Sequence, residues 1–143
     1  MNVRSLIVCL LACTAGLPAQ SAPANPLAHS RVFNLEEIPA RTAPNGAVGR
    51  AVFSGTLATG EAVAVHETTQ PPGAAPSPLH RIQHSEVIVV EEGTIELNHD
   101  GKAERAGQGS VVYVAYGTLH FIRNVGSGPA TYVVVQIGGD TKK

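Results

Sequence analysis

The chain has 143 residues, enough for one domain with its own core and little room for a second. Hydrophobic residues make up 43% and charged residues 15%, a balance too apolar for a disordered chain. A formal net charge of −1 with no basic block excludes the electrostatic footprint of a nucleic-acid-binding protein.

Residues 1–24 have the form of an export signal: Arg4 supplies a positive charge, Leu6 to Ala12 an apolar core, and small residues and prolines follow through Pro26. The apolar stretch is far shorter than the ~20 residues of a membrane-spanning helix, so no membrane span is expected. Cleavage near Ala22 or Ala24 leaves a periplasmic or secreted domain of residues 25–143. A second ending is open, because Leu10-Leu11-Ala12-Cys13 resembles a bacterial lipobox, in which Cys13 becomes the lipidated N-terminus. Both cysteines, Cys9 and Cys13, lie in this segment, so the domain that follows is held by packing and not by disulfides.

Beyond Asn25, short runs rich in Val, Ile, Thr and Tyr alternate with Gly, Pro and Asp-Gly turns, and no segment of helical period competes. Strands are predicted at Arg31–Leu35, Val48–Ser54, Ala62–Thr68, Glu86–Glu91, Thr94–Asn98, Lys102–Arg105, Ser110–Val114, His120–Asn124 and Ala130–Ile137. Asp100-Gly101 suits the positive φ angles of a two-residue hairpin turn. Gln70-Pro71-Pro72-Gly73, with Pro76 and Pro78, must be an irregular loop leading into His80. The runs Val87–Val90, Val111–Val114 and Tyr132–Val135 are apolar at both parities, which predicts strands covered on both faces. The outer cover is a second sheet, the N-terminal strand or a second subunit, with a homodimer preferred. The domain is expected to be all-β, a jelly-roll barrel of two antiparallel sheets.

The six histidines are unevenly placed. His80 and His84 stand close to Glu86, and His120 follows about one hairpin later. Positions 80, 82, 84 and 86 share a face if that stretch is extended, which brings two imidazoles and a carboxylate together. Buried charge is costly unless it is paired or bound to a cation, and an apolar strand follows directly. A metal ion meets that requirement.

Two spaced motifs then resemble those of the cupins. The first has the form G-x5-H-x-H-x(3,4)-E-x6-G, met here by His80, Glu86 and Gly93. The second, G-x5-P-x-G-x2-H-x3-N, is met by Gly109, Gly117, His120 and Asn124, with Ala115 in place of the proline. The residues from Thr94 to Gln108 match the short insert that small cupins place between the motifs. Two departures stand in the first motif: Gly73 is displaced by one position, and Ile82 occupies the place of the second histidine.

The resemblance implies one divalent metal ion held by three histidines and a glutamate, with one or two positions left for substrate or water. His80, Glu86 and His120 carry over directly. Three arrangements are open, in order of preference: His84, at a position where similar secreted cupins often carry a further histidine, takes over as the missing ligand; His80, Glu86 and His120 hold the ion alone; or Ile82 fills the vacancy and no metal binds. Imidazole and carboxylate ligands suit Zn, Fe, Mn, Ni or Cu equally.

His29, His66 and His99 are expected to be core or rim residues, although the strand of His66 neighbours the barrel mouth. Asn124 is expected to bond backbone, Gly93 and Gly117 to make tight turns, and Arg81 and Arg123 to face away from the site. No G-x-S-x-G elbow, phosphate loop or dinucleotide fingerprint is present. Two functions follow: a metal-binding cupin of the cell envelope that binds or acts on a small molecule, with Glu86 as proton acceptor, or a metal-free cupin that binds a ligand such as a sugar.

Overall fold

A computed structural model describes residues 25–141; the export-signal and lipobox readings of residues 1–24 fall outside them. Ten strands run in chain order as β1 (Arg41–Thr42), β2 (Val48–Thr56), β3 (Ala62–Gln70), β4 (His80–Arg81), β5 (Ser85–Glu92), β6 (Thr94–His99), β7 (Lys102–Gly107), β8 (Val111–Val114), β9 (Leu119–Asn124) and β10 (Ala130–Ile137). The helical turns among the described residues are short 3-10 segments at Leu35–Glu37 and Gly139–Thr141. No helix among these residues is long and apolar enough to cross a membrane. Every ladder is antiparallel. One sheet has the order β1-β2-β3-β10-β5-β8 and the other β4-β9-β6-β7, the two faces of a jelly roll.

Strand alternation builds the core between the sheets. Ile88 and Val90 of β5, Tyr132 and Val134 of β10 and Val114 of β8 point inward from the larger sheet. Ile95 and Leu97 of β6 and Ile122 of β9 meet them from the smaller one. The outer parity behaves differently from the expectation. Val89, Val111 and Tyr113 are 38%, 67% and 65% exposed, so the described residues leave the outer face of β8 and part of β5 uncovered, while Val133 and Val135 of β10 are half-buried.

The segment predicted as a strand at Arg31–Leu35 is not one. Val32 is exposed, and the Arg31 guanidinium lies over the Phe33 ring, which packs on Phe53 of β2 at 4.8 Å. An aromatic contact thus seats this segment without a ladder, and the Asn34 carbonyl turns it by accepting from Glu37 N–H at 3.0 Å. The Asp100-Gly101 turn has the expected positive φ angles, 48° and 77°, between His99 and Lys102, which pair across the hairpin. Gly93 has φ 75°, and a Cβ there would lie 2.3 Å from the Pro129 carbonyl oxygen, so only glycine fits between β5 and β6.

Asn124 closes β9 as a backbone clamp. Its Nδ2 donates to the carbonyls of Gln70 at 2.9 Å and Gly128 at 2.8 Å, and its Oδ1 accepts from Gly126 N–H at 2.8 Å. One side chain therefore ties β9 to the end of β3 and to the turn before β10. Asn124→Ala leaves the buried Gln70 carbonyl and two part-buried backbone groups without this partner and is expected to destabilise the fold by about 2–4 kcal/mol, measured by urea unfolding. A loss within experimental error of zero would show that water replaces the clamp.

Candidate metal centre

The chain changes sheets just before the site. His80 and Arg81 form β4 in the smaller sheet, residues 82–84 bend across the gap, and β5 begins at Ser85 in the larger one. The shared parity of 82, 84 and 86 survives this crossing, because Ile82, His84 and Glu86 are all buried. Their destinations differ. Ile82 packs into the apolar core, while His84 and Glu86 meet each other.

Register sets the remaining partners. His80 is paired directly with His120 of β9, and their rings stand 4.6 Å apart at an interplanar angle of 48°. Glu86 lies beside Gln136 of β10 on one side and Val114 of β8 on the other. His84 Nε2 donates to Glu86 Oε1 at 2.9 Å, Gln136 Nε2 donates to the same oxygen at 3.1 Å, and His120 Nε2 lies 3.5 Å from Oε2. His66 projects from β3 into the same space, two strands from β5.

These groups line one end of a cavity of about 430 Å³ whose wall includes His66, His80, Glu86, His120, Tyr132 and Gln136. His80, Glu86 and His120 thus line one cavity wall. His84 joins the site through the Glu86 carboxylate. Of two further wall residues, His66 was expected at the core or rim on a strand beside the barrel mouth, and Gln136 was not singled out. Gln136 breaks an otherwise apolar strand, a signal that was available; His66 carries no motif and is identified by its place opposite Val134. Arg81 and Arg123 point elsewhere, Arg81 bonding the Gly117 carbonyl and Arg123 bonding Glu96 at 2.6 Å.

Burial alone would raise the Glu86 pKa, but the contacts from His120, His84 and Gln136 outweigh it and hold the carboxyl at about 2. Burial lowers the His66 pKa, with the Glu86 charge opposing and His84 adding to it, so this imidazole stays neutral at pH 7. Burial, helped by Glu86, pushes the Tyr132 phenol up, leaving it a neutral hydroxyl.

Hydrogen bonding decides which donor atoms of the site are free for a metal ion. His80 Nδ1 donates to the Pro78 carbonyl at 2.8 Å, and His120 Nδ1 to the Thr118 carbonyl at 3.3 Å. Both imidazoles thereby keep their Nε2 lone pairs when neutral, the tautomer that coordinates metals. His120 Nε2 and Glu86 Oε2 then face each other as two acceptors, which a proton or a cation must separate. Among the described residues, no three His, Cys, Asp or Glu side chains already stand at one coordination point. The chemistry and tautomers fit an ion.

A family model described as a cupin domain matches residues 66–136. No curated protein matches the chain in sequence. A predicted oxalate decarboxylase from Thermotoga maritima is 18% identical, with 75% of this chain and 98% of that chain covered at a TM-score of 0.64. KdgF from Halomonas sp. is 15% identical, with 78% and 97% covered at 0.65. The polyketide cyclase RemF from Streptomyces resistomycificus is 14% identical, with 78% and 86% covered at 0.61. At these identities the likeness is one of fold.

The low Glu86 pKa has a defined consequence for stability. A carboxyl whose folded pKa lies below its ordinary 4.5 contributes stability above that pH and loses it as pH falls towards about 2. Wild-type protein, stripped of metal, is expected to melt higher than Glu86→Gln at pH 7, and the gap is expected to narrow steadily below pH 4.5. A gap that is constant with pH, followed by calorimetry, would show that the charge is not what the imidazoles stabilise.

Proposed function

Because this chain belongs to the cupin superfamily, we propose that its cavity binds one divalent metal ion together with a small organic molecule, in a protein exported to the cell envelope. The ion's protein ligands are His80, Glu86 and His120, with one or more positions open. The observation that carries this reading is the pair of Nδ1–H bonds to backbone carbonyls, which aim coordinating chemistry at Nε2 of two histidines beside one anionic carboxylate. His84, placed among the ligands by sequence spacing, instead supports the carboxylate from behind through its 2.9 Å bond. This favours the three-ligand arrangement over the one that uses His84.

When bound, the ion supplies Lewis acidity toward a substrate oxygen, water or dioxygen. The chain's own groups do the rest. Glu86 is ionised at neutral pH, which suits a metal ligand, while a carboxyl held at about 2 is a weak proton acceptor there. His66 and Gln136 offer neutral hydrogen-bonding groups beside it. Solved structures sharing the fold are described variously as a decarboxylase, an isomerase and a cyclase, so the reaction class follows from this wall and not from the barrel.

We further propose a homodimer built on the outer face of the larger sheet. Val89, Val111 and Tyr113 there are exposed, and Val87, Val133 and Val135 continue the apolar surface across β5 and β10. A second copy buries this face isologously. The doubly charged variant Val111→Lys, Tyr113→Lys is expected to be a monomer by light scattering while wild type is a dimer. A monomeric wild type removes the proposal.

Protein purified without chelators or a histidine tag is expected to hold about one equivalent of divalent metal, lost in His120→Ala. His84→Ala is expected to retain the ion with lower affinity, on the order of tenfold. A protein free of metal, whose melting temperature does not move on adding Zn, Mn, Ni or Fe(II), would favour the metal-free ligand-binding reading.

A further inference from the structure

The turn between β1 and β2 makes a separate demand on each of two adjacent residues. Ala43 N–H donates to the Ala47 carbonyl at 2.7 Å and Gly46 N–H to the Ala43 carbonyl at 2.9 Å, so Pro44, Asn45 and Gly46 form a three-residue hairpin loop. Its last residue has φ 82°, the left-handed conformation that glycine adopts without strain. Its middle residue answers to the segment Pro71 to Pro78, whose Pro76, Ser77 and Pro78 line the cavity. Asn45 Nδ2 donates to the Ala75 carbonyl at 2.9 Å, and Asn45 Oδ1 accepts from Ala47 N–H at 3.1 Å. The carboxamide thus latches the proline-bearing segment to the turn, and Asn45 itself lines the cavity at the joint.

Together these demands put an Asn-Gly pair at the cavity edge, the one such pair in the chain. Asparagine is a labile residue, and most so before glycine, where no Cβ shields the backbone nitrogen that attacks the side chain. In this reaction the Gly46 nitrogen bonds to Asn45 Cγ, the Cγ–Nδ2 bond breaks, and ammonia leaves with the Gly46 proton. Water then opens the cyclic imide at either carbonyl, giving aspartate or isoaspartate. Water is the only co-reactant.

In the closed turn every participant is occupied. The attacking Gly46 nitrogen is bonded to the Ala43 carbonyl, and both heteroatoms of the carboxamide are bonded. The reaction therefore draws on molecules in which the latch and the turn have opened, and its rate follows that local equilibrium. The product cannot close again. An oxygen without a proton replaces Nδ2 and faces the Ala75 carbonyl as a second acceptor, and isoaspartate also lengthens the main chain within the turn.

We propose that Asn45 is a modification site: spontaneous conversion of its amide to an acid, held back by the closed latch and permitted when it opens, irreversibly frees one side of the cavity edge. The inference stands apart from what the cavity holds.

The full chain, folded and in urea, is incubated at mildly alkaline pH, and each asparagine is followed by peptide mass mapping with enzymatic detection of isoaspartate. Asn45 is expected to be the first asparagine to convert in the folded protein, on the order of tenfold more slowly there than in urea. Ser77→Ala removes the hydroxyl that accepts from Ile122 N–H at 2.9 Å; it is expected to raise the folded-state rate several-fold and leave the rate in urea unchanged. In Asn45→Asp, hydrogen exchange of the amides between Gly73 and Ser77 is expected to quicken on the order of tenfold, with exchange in β5 and β10 unchanged. Asn34 or Asn98 converting before Asn45 in the folded protein, equal rates folded and in urea, a folded-state rate unmoved by Ser77→Ala, or unchanged exchange in Asn45→Asp would each overturn the proposal.

Discussion

One buried carboxylate links the two sheets. Glu86 belongs to the larger sheet, His120 to the smaller, and His84 to the crossing between them, yet all three meet at the two oxygens of a single side chain. A carboxylate only 5% exposed would be unfavourable alone. Here its contacts with two imidazoles and a carboxamide reverse the effect of burial on its pKa. The charge is thus also a fastening between layers.

Much of this was legible in the sequence because period-two patterning reports directly on a sheet that is half buried. Eight of the nine predicted strands are present, and the Asp100-Gly101 hairpin has its expected geometry. The failure at Arg31–Leu35 comes from side-chain contacts that seat a segment without a ladder, which alternation cannot distinguish from a strand. The two-residue strands β1 and β4 were missed because they carry no pattern of their own; tertiary pairing, such as His80 with His120, creates them.

The site was legible to the extent that its residues sit in one local stretch or at fixed spacing from a turn. Parity placed 82, 84 and 86 inward but could not say that the chain would cross between sheets there, sending Ile82 to the core and His84 to one oxygen of the Glu86 carboxylate. His66, Gln70 and Gln136 come from strands far off in sequence. Only the register of β3 with β10, and of β10 with β5, brings them to the same wall. A family likeness carried by motifs finds the conserved chemistry of a barrel and says nothing about the residues that choose what enters it.

The proline-bearing segment from Pro71 to Pro78 forms one lip of the cavity. It is pinned at several points: Ser77 N–H donates to the Ile122 carbonyl and Ser77 Oγ accepts from Ile122 N–H, both at 2.9 Å, and Asn45 Nδ2 bonds the Ala75 carbonyl at 2.9 Å. Rigid φ angles and these anchors mean that little chain freedom is left to surrender when the cavity fills. The aperture behaves as a fixed gauge. An opening framed by so firmly anchored a segment has its width set by the fold and not by what approaches it.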